Sequence, residues 1–223
     1  MLTATVAAFA AFAVAVAGAP AWAGAPDLAT VANPSAWKVT HATAEPVTVD
    51  GRRAVRLIAE GDSAYGIVGL AVPVGARFTT GTIDVDLKGS DVRQRSFLGV
   101  AFNVADERTF EAVYFRPFNF RAGEPMGSRA VQYVAWPGNT WEHLRKTEPG
   151  RFENRVDPVP DPTGWFHARI VVTDREVRVH VDGAHQPSLV VRRLAAGVAG
   201  RPAGLFVDSA DGLYANLRIT PDP

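Results

Sequence analysis

Trp165-Phe-His-Ala-Arg-Ile-Val-Val172, then Thr173-Asp-Arg175, then Glu176-Val-Arg-Val-His-Val181, is the stretch that decides the fold. Val177, Val179 and Val181 fall on one side of an extended chain, and Glu176, Arg178, His180 and Asp182 on the other. Period two of this kind is the mark of a strand with one buried face, and the short polar link makes the pair an antiparallel hairpin. Thr82-Ile-Asp-Val-Asp-Leu-Lys88 repeats the pattern, with Ile83, Val85 and Leu87 inward and Thr82, Asp84, Asp86 and Lys88 outward.

Working outward, the same periodicity runs through Arg53–Ile58, Tyr65–Leu70, Phe97–Val104, Thr109–Arg116, Ala130–Ala135, Ser188–Val191, Ala203–Val207 and Leu213–Ile219. Arg151–Val156 is a shorter strand-like piece. Between Trp136 and Gly164 the prolines 137, 149, 158, 160 and 162 make mostly loop, with one helical turn at Trp141–Lys146 capped by Asn139 or Thr140. Roughly a dozen short strands, each with a polar face, predict an all-β chain folded as a two-sheet antiparallel β-sandwich or jelly roll.

The chain has 223 residues with 47% hydrophobic content, enough for one well-buried core. Basic and acidic residues number 23 each, so no overall field gathers nucleic acid or anionic lipid. With no cysteine there is no disulfide, thiolate nucleophile or Cys-ligated metal. The first 26 residues carry no charged side chain, and Val6–Ala17 is an unbroken apolar run. Ala21-Trp22-Ala23 and Ala23-Gly24-Ala25 follow as small-x-small sites, so residues 1–25 read as a secretory signal peptide. One domain is expected over residues 27–223, secreted and free of the membrane once the leader is cut, with its oligomeric state open.

Residues 109–145 gather Phe110, Tyr114, Phe115, Phe118, Phe120, Tyr133, Trp136 and Trp141 beside Arg116, Arg121, Arg129 and Arg145. Flat rings suit the C–H face of a sugar, and planar donors suit its hydroxyls. The candidate ligand-binding residues are Tyr114, Arg116, Asn119, Gln132, Trp141 and Arg145, and the expected partner is a carbohydrate. The same residues also suit plain packing, with Arg116 paired to Glu142 or Glu148.

For proton transfer the candidates are Glu111, Glu142, Glu148 and His143, close in sequence to the aromatic cluster. Asp84 and Asp86 lie about 7 Å apart on one strand face, within the roughly 5–10 Å window of paired catalytic carboxyls, but alternating charge is what any solvated strand shows. No histidine pattern has metal spacing, and neither a metal nor a cofactor is expected. Gly61-Asp62-Ser63 with Asp182-x-x-His185 imitates an esterase motif, yet the chain lacks the helical periodicity of that α/β fold, so both read as turns.

The strings Tyr-Phe-Arg-Pro-Phe-Asn-Phe (114–120), Ala-Val-Gln-Tyr (130–133), Trp-Glu-His-Leu-Arg (141–145) and Val-Asp-Gly (181–183) resemble secreted bacterial concanavalin A-like, laminin G-like jelly-roll domains, and within them the 3-keto-disaccharide hydrolase type. The likeness covers roughly residues 35–220. It implies a sandwich whose concave sheet and loops contact carbohydrate, as a binding module or as a hydrolase or lyase on 3-keto-glycosides. A structural adhesion domain is the third class. The Glu-x-Asp-x-x-Glu string of the glucanase branch is absent.

Overall fold

The computed structural model describes residues 24–222. In chain order the strands are β1 (Trp37–Thr40), β2 (Ala42–Val49), β3 (Arg52–Ala59), β4 (Gly69–Pro73), β5 (Gly81–Lys88), β6 (Phe97–Asp106) and β7 (Thr109–Phe115). They continue as β8 (Val131–Trp136), β9 (Glu153–Asn154), β10 (Phe166–Val172), β11 (Glu176–Val181), β12 (Leu189–Arg192), β13 (Gly204–Asp208) and β14 (Asp211–Pro221), with one α-helix among the described residues, α1 (Trp141–Thr147). No helix among the described residues is long and apolar enough to cross a membrane.

Two seven-stranded antiparallel sheets result, a first in the order β1-β4-β13-β6-β7-β8-β9 and a second in the order β12-β11-β10-β5-β14-β3-β2. Strands adjacent in sequence are often not adjacent in the sheet, and this interleaving makes the sandwich a jelly roll. The alternation of β5 is realised in full: Ile83, Val85 and Leu87 are completely buried while Asp84, Asp86 and Lys88 reach solvent. On β11, Val177, Val179 and Val181 are buried likewise. Removing such apolar surface from water is the main force joining the sheets.

The β2–β3 hairpin turns on Asp50-Gly51, where both residues adopt positive φ, 51° and 74°, between the paired Val49 and Arg52. That double left-handed bend matches strand twist, and the Asp-Gly pair tolerates it. The reading of Tyr65–Leu70 as a strand is corrected. Ser63–Tyr65 is a 3₁₀ turn closed by Gly66 at φ 72°, and the strand begins at Gly69. Gly66 is a left-handed stop, which an extended reading of the segment does not allow for.

Residues 1–23 of the expected signal peptide lie outside the described residues. Gly24 belongs to the fold: its N–H donates to the carbonyl of Ile219 at 3.1 Å, and the Ile219 N–H returns the bond at 3.0 Å.

Candidate functional site

On β7 the side chains of Glu111, Val113 and Phe115 enter the space between the sheets, where Phe115 meets Phe166 of β10 edge-on at 5.1 Å. Tyr114 therefore points to the outer face of the first sheet. Register places Gly99 of β6 between Phe206 of β13 and Tyr114 of β7. With no side chain on the middle strand, the two rings lean together over Gly99 and stack at 5.2 Å, 24° between planes. Phe97, one alternation along β6, adds an edge at 6.2 Å from Tyr114.

Arg116, where β7 ends, lies against this platform with its guanidinium carbon 4.9 Å from the Tyr114 ring and 5.5 Å from that of Phe97. It donates to the carbonyl of Arg129 at 2.8 Å, the Tyr114 hydroxyl at 3.0 Å and Gln132 Oε1 at 3.3 Å. It is 5% exposed, and no carboxylate pairs with it among the described residues. Pairing of Arg116 with Glu142 or Glu148 does not occur.

From the other side comes α1, whose first turn is capped by the Thr140 hydroxyl accepting from the His143 N–H. Leu144 anchors the helix in the core. That orientation turns Trp141 and Arg145 together, Arg145 lying over the Trp141 ring at 4.7 Å and donating to Glu153 of β9 at 3.0 Å.

Tyr114, Arg116, Asn119, Trp141 and Arg145 line one open cavity of about 530 Å³, together with Phe97, Phe118, Arg129 and Asp208. Gln132, the sixth candidate, is buried behind Arg116 and orients it. A larger cavity of about 790 Å³ lies between Ala25–Ala29, the β2–β3 hairpin and Asn216–Arg218, and has no aromatic ring in its wall.

The candidate acids lie elsewhere. Glu111 is fully buried between the sheets, accepting from Arg193 Nη2 at 2.8 Å, Tyr133 at 2.6 Å and Asn103 at 2.9 Å. Glu142 and His143 occupy the solvent side of α1, and Glu148 pairs with Arg192 on β12. Asp84 and Asp86 sit on the outer face of the second sheet, both bonded to His167.

Asp208 is the carboxyl that reading the sequence missed. It is the last residue of β13, paired in register with Phe97, and accepts from the Ser63 N–H at 2.9 Å and the Ser209 hydroxyl at 2.8 Å. Burial pushes its pKa up, against the hydrogen bonds from Ser63. Its signal was present: an acid extending the apolar strand Ala203–Val207 by one step. The Tyr114 hydroxyl is also pushed up, to about 12, by burial, with the Arg116 charge opposing. Both groups are held in their neutral forms more firmly than in water.

No protein-family model matches the chain, and no curated protein matches it in sequence. Solved structures do share its architecture. The carbohydrate-binding module CBM66 from Bacillus subtilis superposes with a TM-score of 0.54 at 12% identity, over 82% of this chain and 93% of that one. A β-glucanase of Bacillus licheniformis gives 0.52 at 11%, over 86% and 94%. A Bacillus subtilis protein of unknown function with a galectin-like fold gives 0.51 at 11%, over 87% and 92%. Identities this low speak for the fold alone: the chain is an all-β sandwich of the concanavalin A-like, galectin-like jelly-roll type.

Proposed function

We propose that this chain is a secreted carbohydrate-binding domain whose ligand seats in the cavity on the outer face of the first sheet. One observation carries the reading: rings and planar donors from four separate segments, around Phe97, Tyr114–Asn119, Arg129 and Trp141–Arg145, line the same open hollow. A sugar needs that combination, an apolar face for its C–H groups and fixed donors for its oxygens. The architecture shared with a carbohydrate-binding module and a glucanase supports the ligand class.

Titration of the protein with a panel of oligosaccharides, followed by calorimetry and by tryptophan fluorescence, tests this. Saturable binding that quenches or shifts the emission, and that disappears in Trp141→Ala, is expected. Absence of saturable binding at millimolar concentration across the panel rejects the reading.

Asp208 favours a second reading, hydrolysis of 3-keto-glycosides, to which the sequence resemblance points. A cavity carboxyl whose pKa is raised by burial suits a proton donor to a departing glycosidic oxygen. In that case Asp208→Asn abolishes release of sugar from a 3-keto-glucoside and leaves binding intact, while Glu142→Gln and His143→Ala leave turnover unchanged. No release by the unaltered protein rejects it.

A further inference from the structure

The chain as a whole is neutral, but the cavity is not. Its wall carries Arg93, Arg95, Arg116, Arg129 and Arg145 against Asp62 and Asp208. Both acids accept from neutral donors: Asp62 from the Ala64 N–H, and Asp208 from Ser63 and Ser209. Arg116, Arg129 and Arg145 are left with one carboxylate, Glu153, which Arg145 grips through Nε at 3.0 Å and which Arg129 approaches at 3.8 Å. Counting Glu153, five guanidinium groups meet three carboxylates around the cavity, an excess of two positive charges.

A buried charge is costly to retain unless an opposite charge answers it. Arg116 is answered by a carbonyl, a phenol and an amide, all neutral, and by the faces of two rings. Such contacts satisfy its N–H groups without cancelling its charge. Burial accordingly lowers the pKa of Arg116, with Arg145 and Arg129 adding to the effect. The Tyr114 hydroxyl accepts from Arg116 and keeps its own proton for a further acceptor. What completes this arrangement is an oxyanion entering from the cavity, while Trp141, Phe97 and Phe118 provide rings for a sugar's apolar face.

We infer that the cavity selects an acidic glycan, a saccharide bearing a carboxylate or sulfate group that docks on Arg116 beside Arg129 and Arg145. This rests on the carbohydrate reading above and narrows it to a ligand class. Guanidinium groups pair with planar and tetrahedral oxyanions in two-pronged fashion, so both sources of charge fit.

Calorimetric titration with oligogalacturonate, oligoglucuronate, a sulfated oligosaccharide, their neutral parent sugars and inorganic sulfate alone provides the test. At least one acidic sugar is expected to bind tenfold or more tightly than its neutral parent, with the advantage shrinking as salt is raised. In Arg116→Gln that advantage falls to twofold or less. Arg129→Gln, which removes only a long 3.8 Å approach to Glu153, reduces it independently if Arg116→Gln fails to fold.

Equal affinity for neutral and acidic sugars, with Trp141 still reporting, overturns the charge selection and leaves the carbohydrate reading standing. Inorganic sulfate binding as tightly as any acidic sugar overturns the inference by reducing the site to an anion hole. No binding by any saccharide overturns both.

Discussion

Two arginines are buried in this sandwich, and they are treated in opposite ways. Arg193 lies between the sheets with its side chain 1% exposed against a Glu111 that is fully enclosed. Its Nε and Nη2 donate to that carboxylate, and its Nη1 donates to the carbonyls of Thr79 at 3.1 Å and Thr173 at 3.2 Å. Tyr133 and Asn103 complete the carboxylate's shell. Arg116, on the outer face and also buried, has neutral acceptors and an open cavity beside it. A charge that is fully answered ties the fold together; one answered only in part is held ready for something outside. The same residue type thus ties the interior together at one address and, in the reading we propose, faces a ligand at the other.

The sharpest way to break this comparison is to remove Glu111. Glu111→Ala strands Arg193 in the interior and is expected to cost about 3–5 kcal/mol, the usual penalty for orphaning a buried charge. For a domain of this size that is a fall in thermal midpoint of roughly 10 °C. Calorimetric unfolding reads it, and a drop of a degree or two would show that the pair is not the tie it looks like. Replacing both partners together, Glu111→Leu with Arg193→Met, should recover most of the loss.

Arg116→Met is the counterpart, with a smaller effect on stability. Losing the guanidinium frees Gln132 Oε1 of a donor but also relieves an uncancelled charge, so the net change is expected to be about 1 kcal/mol in either direction. Binding is the property that suffers. Should Arg116→Met unfold as readily as Glu111→Ala, the distinction between the two arginines collapses.

Asp208 sharpens the picture through pH. Its folded pKa is raised above the unfolded value of 3.8, so its protonated form contributes stability that is complete below that value and is lost as pH rises through the folded one. Thermal midpoints measured on either side of this range should therefore fall with rising pH by more in the unaltered protein than in Asp208→Asn. Identical profiles would remove the carboxyl from the buried wall.

The smallest effect belongs to a solvent-washed version of the same chemistry. His167, on the outer face of the second sheet, bonds Asp86 through Nδ1 at 2.8 Å and Asp84 through Nε2 at 3.1 Å. Arg169 and Arg52 face the same two acids, and Asn216 donates to Asp86. The hydrogen bond to Asp86 is the main cause of a raised His167 pKa, with burial opposing. The stability it contributes is present in full below the unfolded value of about 6.5 and is lost as pH climbs through the raised one. Exposure limits this to about a few tenths of a kcal/mol, and added salt should erase it. A His167→Gln protein with an unaltered pH profile would sever the link.

The strands were legible because burial on one face imposes period two, and β5, β10 and β11 show it residue by residue. Where both faces are covered the code goes quiet. On β7 every residue from Phe110 to Phe115 is buried, so parity sorts Glu111 from Tyr114 without revealing which side meets the opposing sheet. That is why Glu111 stood among candidates for chemistry when it belongs to the interior.

The cavity was legible only where its residues are close in sequence. Tyr114, Arg116 and Asn119 are neighbours, and Trp141 with Arg145 share a helical turn. Phe97, Arg129 and Asp208 arrive through register and loop closure. The register that seats Asp208 beside Phe97 spans more than a hundred residues of chain, and no local pattern encodes it.

Gly24 would bear on maturation if the proposed leader is cut. The two small-x-small sites near it differ in what they leave behind: a cut after Ala23 spares the glycine, and one after Ala25 discards it. Because that residue exchanges a reciprocal pair of backbone bonds with Ile219, the choice of scissile peptide in such a leader would decide whether the finished protein keeps a zipped border there or leaves a frayed seam. Trimming by two residues would thus be an edit to the sheet itself.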